Sequence, residues 1–247
     1  MKKTDRFQSQ TGFSRMWKLS ALLTILGISA SCARLPAIRP HDSSPALIAT
    51  IQCDQPFLKN RWQLVHSIKA VLPNDQKEVM IGTLILSPEK EIIHCVITSI
   101  EGIVLLEVVY DKTITINRAV PPFDSADIAV GLMNDIRLIF FKPEGLPAAS
   151  GLTENGASIC RYEKDDGMTV DVIVFPKRGW EINQYDSWSG LNRTVKAQFP
   201  TKHEPVEMND NIPERLELTA HGFLGYKLSL DLIESVRLTA RNYQREP

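Results

Sequence analysis

Four cysteines and five histidines hold most of the reactive side chains of this 247-residue chain. Their spacing decides which chemistry is open to them. Cys53, Cys95 and Cys160 are far apart, with no CxxC pair and no Cys/His grouping at metal-ligand spacing. His94 and Cys95 are neighbours in an apolar run; in a strand they point to opposite faces and cannot share a metal. His66 falls on the Trp62, Leu64, Ile68 side of its run, which reads as a wall histidine rather than a catalytic base. His221 precedes a glycine-bounded turn and reads as structural. The acidic, proline-containing stretch from His203 reads as a solvated loop, because a calcium loop needs tighter ligand spacing. No GxSxG, HExxH, P-loop or GxGxxG pattern is present. No catalytic residue, metal or cofactor is therefore expected, and nothing points to an enzyme. One side chain has a recognisable chemical setting: the thiol of Cys32, placed for alkylation.

That setting is the amino-terminal 36 residues. Lys2, Lys3, Arg6, Arg15 and Lys18 precede an uncharged run over residues 19–31. Thirteen helical residues reach about 20 Å, short of the ~30 Å hydrocarbon core. A basic region, a short apolar core and small residues at its end describe a secretory signal peptide. Ile28-Ser29-Ala30-Ser31-Cys32 resembles the bacterial lipobox, in which the cysteine becomes the lipidated first residue of the mature chain. Each buried methylene of an attached chain contributes ~0.8 kcal/mol, and two or more chains make anchoring stable. Ala33 stands where, by the same resemblance, an Asp retains lipoproteins at the inner membrane. The expected location is thus the periplasmic face of the outer membrane, with Cys32 in its lipid. Residues 32–45, with three prolines and two serines, read as a flexible tether, and residues 46–247 as one domain.

The whole chain carries 28 Lys+Arg against 29 Asp+Glu, and five of the cations with one of the anions lie in residues 1–31. The remainder is net −5, which argues against a basic nucleic-acid surface. An oxidising envelope permits one disulfide among Cys53, Cys95 and Cys160, in three possible pairings. Cys95, inside an apolar strand, suits a small buried hydrophobe.

From residue 58 the turn signals recur at regular, short spacing. Eleven strand-like runs result, interrupted by one helix over residues 124–142 that Asp124 or Ser125 can cap. Its apolar face is Ile128, Leu132, Ile136, Ile139 and Phe140. Turns this short force antiparallel pairing. The early runs are apolar on both sides: Met80, Leu84 and Leu86 oppose Val79, Ile81 and Ile85, and Val104, Leu106 and Val108 oppose Ile103, Leu105 and Val109. Both faces then want cover. A curled half-barrel enclosing an apolar space satisfies this, and so does a filled β-sandwich; the pattern leaves both open. In the aromatic stretch of residues 178–188, Trp180, Tyr185 and Trp188 suit a cavity rim or a membrane-facing edge, or plain strand packing.

Five segments carry a family likeness: RWQLVHSIKAVLP, MIGTLILSPEKEIIHCVITSIEGIVLLEVVYD, RAVPPFDS, GLMNDIRLIFFKPEG and LTAHGFLGYKLSLDLIESVRL. They resemble the uncharacterised bacterial lipoproteins grouped as domain of unknown function 3261, related in fold to the LolA/LolB-like outer-membrane lipoprotein carrier and receptor. The likeness spans roughly residues 58–238. It implies a mainly β fold: an open, strongly curved antiparallel sheet of about eleven strands, covered by a few helices over an apolar cavity. It implies cargo too, either acyl chains of a lipoprotein or another lipid, with a periplasmic carrier protein as partner. The cavity candidates are Trp62, Leu64, His66, Met80, Leu84, Val104, Leu106, Ile136 and Phe140. In the receptor, the loop between the third and fourth strands presents a leucine to the membrane; Ile100 is the nearest counterpart here. The competing expectation is an accessory envelope lipoprotein with a packed core, acting through a protein partner. The anchor has its own test. Cys32→Ala should move the protein from the membrane to the soluble fraction on cell fractionation, and an unchanged distribution would refute lipidation.

Overall fold

A computed structural model describes residues 35–39, 52–176, 179–199, 212–222 and 225–239. The leader, Cys32, residues 46–51, the acidic stretch from His203 through residue 211, and Phe223-Leu224 lie outside the described residues.

The short turns build two antiparallel meanders. The first comprises β1 (Trp62–Val71), β2 (Lys77–Ser87), β3 (Ile92–Ser99), β4 (Val104–Asp111) and β5 (Thr113–Ala119). Helix α1 (Ala126–Phe140) follows. The second meander comprises β6 (Ala149–Leu152), β7 (Ser158–Glu163), β8 (Thr169–Phe175), β9 (Gly179–Tyr185), β10 (Leu191–Gln198), β11 (Arg215–Ala220) and β12 (Lys227–Arg237). Pairing of β1 with β12 joins the meanders into one 12-stranded sheet with β5 and β6 at its edges. This is the expected open, curved antiparallel sheet, with twelve strands rather than eleven. The added strand, β6, has only four residues, Ala-Ser-Gly-Leu, and no alternation to reveal it.

A filled sandwich is ruled out, because every described strand belongs to this one sheet. Its inner face carries the core: Leu64, Leu86, Ile93, Cys95, Leu106 and Val108 are buried there, with Val172, Ile182, Val195, Leu216 and Leu218 from the second meander. The expected need for cover on both faces is corrected here. Val65, Ile81, Ile85, Ile92, Val96 and Val109 alternate with the buried set and remain half-buried on the outside. They are β-branched, and such residues favour pleated, partly exposed strands without a second core behind them. Residues 36–39 cover part of the outside. Arg39 pairs with Leu152 on edge strand β6 through two backbone hydrogen bonds of 2.9 and 3.1 Å. Ile38 packs on Ala157, Ile159, Ile173 and Phe175, and Arg161 donates to the Pro36 carbonyl at 3.0 Å. This part of the expected tether is docked on the domain.

Helix α1 forms where expected. Ser125 Oγ accepts the Asp127 N–H at 3.2 Å, and Asp127 adds a negative charge to the first turn. Its buried side is Ala129, Met133, Ile136, Ile139 and Phe140; Ile128, expected on that face, is exposed. Beside α1, Cys53 and Phe57 join the core, and Leu58 N–H donates to the Phe140 carbonyl at 3.1 Å.

Cys53 is bonded to Cys160 of β7, which selects one of the three pairings and leaves Cys95 as a buried free thiol. Burial pushes the Cys95 thiol up to about 12, so it does not form a thiolate at neutral pH. The disulfide closes a span of 107 residues. Closing ~100 residues removes up to about 4.7 kcal/mol of chain entropy from the unfolded state. The double variant Cys53→Ala/Cys160→Ala should therefore lose about 2–5 kcal/mol in denaturant unfolding. A midpoint equal to that of the oxidised protein would show that the bridge carries no stability.

Candidate functional site

Between α1 and the inner face lies an apolar hollow of about 40 Å³. Its floor is His66 and Ile68 of β1, Gly82 and Leu84 of β2, Cys95 and Ile97 of β3, Leu218 of β11, and Leu228 and Leu230 of β12. Its roof is α1 alone, through Leu132, Asp135, Ile136, Ile139 and Phe140. Gly82 stands directly opposite His66 in the β1–β2 register, and a Cβ there would come within 2.6 Å of Ile68 Cδ1. A water needs about 10–15 Å³ of such volume, and a site for a drug-sized ligand about 300–1,000 Å³. The hollow is therefore large enough for water and far smaller than such a ligand site.

A polar clamp fastens that helix to the sheet. Asp135 accepts from Arg193 Nε at 3.0 Å and from the Tyr226 hydroxyl. Arg193 also lies over the Tyr226 ring, 5.6 Å from its centroid. Burial is the main force on both acids: it raises the Asp135 carboxyl against the pull of Tyr226 and Arg193, and raises the Tyr226 phenol with help from Asp135. A mid-helix Asp ordinarily signals a solvated face, so sequence patterning gave no sign of this clamp.

His66 is 1% exposed, and both its ring nitrogens lack a hydrogen-bond partner among the described residues. Such a group costs about 1–3 kcal/mol when left unmade. Phe140 is the ring nearest it, at 6.4 Å between centroids and tilted 42°. Burial holds the imidazole down at about 4, with Asp231 acting weakly the other way. His66 is thus neutral at pH 7.

Of the expected cavity residues, His66, Leu84, Ile136 and Phe140 line the hollow. Trp62, Leu64, Met80 and Leu106 are buried in the surrounding core without lining it. Val104 lies elsewhere. A bulge in β4 pairs Leu106 with Ile97 but Val104 with Thr98, and the extra residue reverses which face Val104 occupies. Among the rim candidates, Trp180 and Tyr185 are buried rather than at an edge. Ile100 is 67% exposed and Trp188 is 90% exposed, each at a hairpin tip. Antiparallel register puts those tips at the same end of the sheet, and Ile103 and Leu191 flank them, also exposed.

The other two described histidines, His94 and His221, are each hydrogen-bonded. His94 faces outward and bonds Glu107 at 3.1 Å, opposite in direction to Cys95. His221 meets Thr194 at 3.0 Å and closes its turn on the Asn192 carbonyl at 2.9 Å. On the outer face, a wider groove of about 460 Å³ surrounds the 3-10 turn Pro88–Lys90 and includes Ile85, Ile92, His94 and Val109. No group of three metal-ligating side chains occurs among the described residues. No helix among them is long and apolar enough to cross a membrane.

No protein-family model matches the chain, and no curated protein does. Solved structures do. A LolA superfamily protein from Nitrosomonas europaea superposes with a TM-score of 0.52 at 10% identity, over 82% of this chain and 97% of that one. A domain described as an outer membrane lipoprotein-sorting protein, from Vibrio parahaemolyticus, gives 0.44 at 11% identity, over 81% and 96%. The first likeness, at 10% identity, is one of fold.

His66 generates a stability prediction. Its folded value lies below its unfolded one, so between pH ~6.5 and about 4 the unfolded chain binds the extra proton. Stability is full above that window and is lost as pH falls through it, by about 3 kcal/mol. Denaturant unfolding at pH 7 and pH 4 should show this loss in the native protein and a loss smaller by about that amount in His66→Phe. Equal losses would place the acid sensitivity elsewhere.

Proposed function

We propose that this protein is a lipid-anchored envelope protein that binds hydrophobic cargo between its sheet and α1, without covalent chemistry. The cargo is the acyl chains of a lipoprotein or another lipid, and the protein sits at the periplasmic face of the outer membrane, held by Cys32. Kinship with domain of unknown function 3261 and exchange with a periplasmic carrier protein belong to the same reading. The observation that carries it is the hollow itself: an apolar space between the inner face of the sheet and α1. The clamp Asp135–Arg193–Tyr226 fastens α1 to the sheet at the wall of that space. The LolA-type fold of the Nitrosomonas europaea neighbour supports it too. Ile100 and Trp188 supply a membrane-facing end, since an indole suits the lipid–water boundary.

A second reading has its own observation. The half-buried outer face and the wide groove beside Pro88–Lys90 suit a protein partner, and then the inner hollow is only a packing defect.

Uptake of the uncharged dye N-phenyl-1-naphthylamine separates the two. The native protein should bind it saturably, and Leu132→Trp, which fills the roof side of the hollow, should weaken binding at least tenfold with unfolding unchanged. Absence of saturable uptake by the native protein would overturn the carrier reading and favour the second. In the unlipidated Cys32→Ala protein, Ile100→Glu with Trp188→Glu should abolish residual flotation with phospholipid vesicles; undiminished flotation would remove that end from the proposal.

A further inference from the structure

The hollow is lined almost wholly by hydrocarbon, yet one polar side chain on its floor is unpartnered. His66 is 1% exposed and faces this space, and neither ring nitrogen meets a donor or acceptor among the described residues. Two other core polar atoms, the Tyr162 hydroxyl and the Trp180 indole nitrogen, are also unpartnered among the described residues, but neither residue lines the hollow. Asp171 receives both arms of Arg161 at 2.7 Å, and Thr194 bonds Asn183 at 2.9 Å. Asp135, the other polar group on the wall, has both carboxylate oxygens occupied, by Arg193 and Tyr226. The cross-strand partner of His66 is Gly82, over which the Ile68 side chain packs. A leucine or phenylalanine at position 66 would serve packing better than an imidazole that bonds nothing.

We propose that His66 is a specificity-determining residue, which seats the uncharged oxygen of a neutral lipid, an ester carbonyl or a chain hydroxyl, inside the hollow. This rests on the carrier reading above and refines it. A neutral imidazole offers one donor and one acceptor, which matches a carbonyl or a hydroxyl. A free carboxylate fits poorly. Among the described residues no cationic side chain lines the hollow, and Arg193, which pairs with Asp135 of its wall, is engaged there. A bare hydrocarbon leaves the imidazole as it is, unpaired. The site therefore discriminates by polarity at one point while remaining indifferent to chain identity elsewhere, and it disfavours free fatty acids.

The test is displacement of bound N-phenyl-1-naphthylamine at pH 7.5 by four ligands of one chain length: methyl laurate, 1-dodecanol, dodecane and laurate. In the native protein the ester and the alcohol should displace the dye at concentrations about tenfold lower than dodecane or laurate, the worth of one net hydrogen bond. In His66→Phe the preference, read against that variant's own dye affinity, should fall to within twofold, and His66→Gln, which retains a donor and an acceptor, should restore it. Equal displacement by ester and dodecane in the native protein, a preference that survives in His66→Phe, or laurate binding as well as the ester would each overturn the assignment and leave the carrier reading standing. Failure of the native protein to take up dye or any chain would overturn both.

Discussion

The molecule depends on covering the concave side of a single antiparallel layer. A sheet of twelve strands in one layer has no second sheet to bury its apolar face against. It curls, and what its curvature leaves open must be closed by the chain that runs between its two edges. That chain is α1, which links edge strand β5 to edge strand β6, helped by Cys53 and Phe57 ahead of β1. Fully burying a side chain such as Leu64, Leu106 or Ile136 contributes about 1.5–3 kcal/mol, so the lid is a principal source of stability as well as a barrier. On the carrier reading, the same contacts that hold the domain together must partly yield to admit cargo. The apolar content of the incoming chain would replace them.

Much of this was legible in the residues, for identifiable reasons. Short turns such as Pro73-Asn74-Asp75 and Glu101-Gly102 force antiparallel neighbours, and the capped run after Ser125 forces a helix. Face assignment was less secure. Parity arguments assume unbroken alternation, and the bulge near Leu105 placed Val104 on the wrong side. Side chains with β-branching, such as Ile81, Ile85 and Val96, looked like a second core because composition does not separate strand preference from burial. β6 has no pattern to read, and it exists because Arg39 and β7 flank it. Trp180 and Tyr185 carry the composition of a rim and the position of a core. The pairing of Cys53 with Cys160 required the fold, since it joins residues 107 apart in the chain. The clamp was invisible because Asp135, Arg193 and Tyr226 come from three distant segments.

The two faces treat polar groups differently. Outside, across β7–β10, charges and hydroxyls are matched: Arg161 with Asp171, Asn183 with Thr194, Thr194 with His221. Inside, the helix clamp is matched, while the His66 ring, the Tyr162 hydroxyl and the Trp180 indole nitrogen have no partner among the described residues. A buried polar group is tolerable when bonded and costly when left alone. Of those unpartnered groups, His66 is the one that lines the hollow.

The pairing of β1 with β12 has a consequence for how the chain is assembled. The first and last described strands meet at the middle of the sheet, with Trp62 opposite Arg237 and Val71 opposite Lys227. Each meander can zip up from its own neighbouring hairpins, but the two halves stay separate until the final strand is available. A chain emerging amino terminus first thus presents β1 as a naked edge while most of the polypeptide is still to come. The same geometry brings the outer ends of these strands together, so that the polypeptide could be rejoined there and reopened between β5 and α1. In such a circular permutant the central seam would become a local hairpin, formed early instead of last.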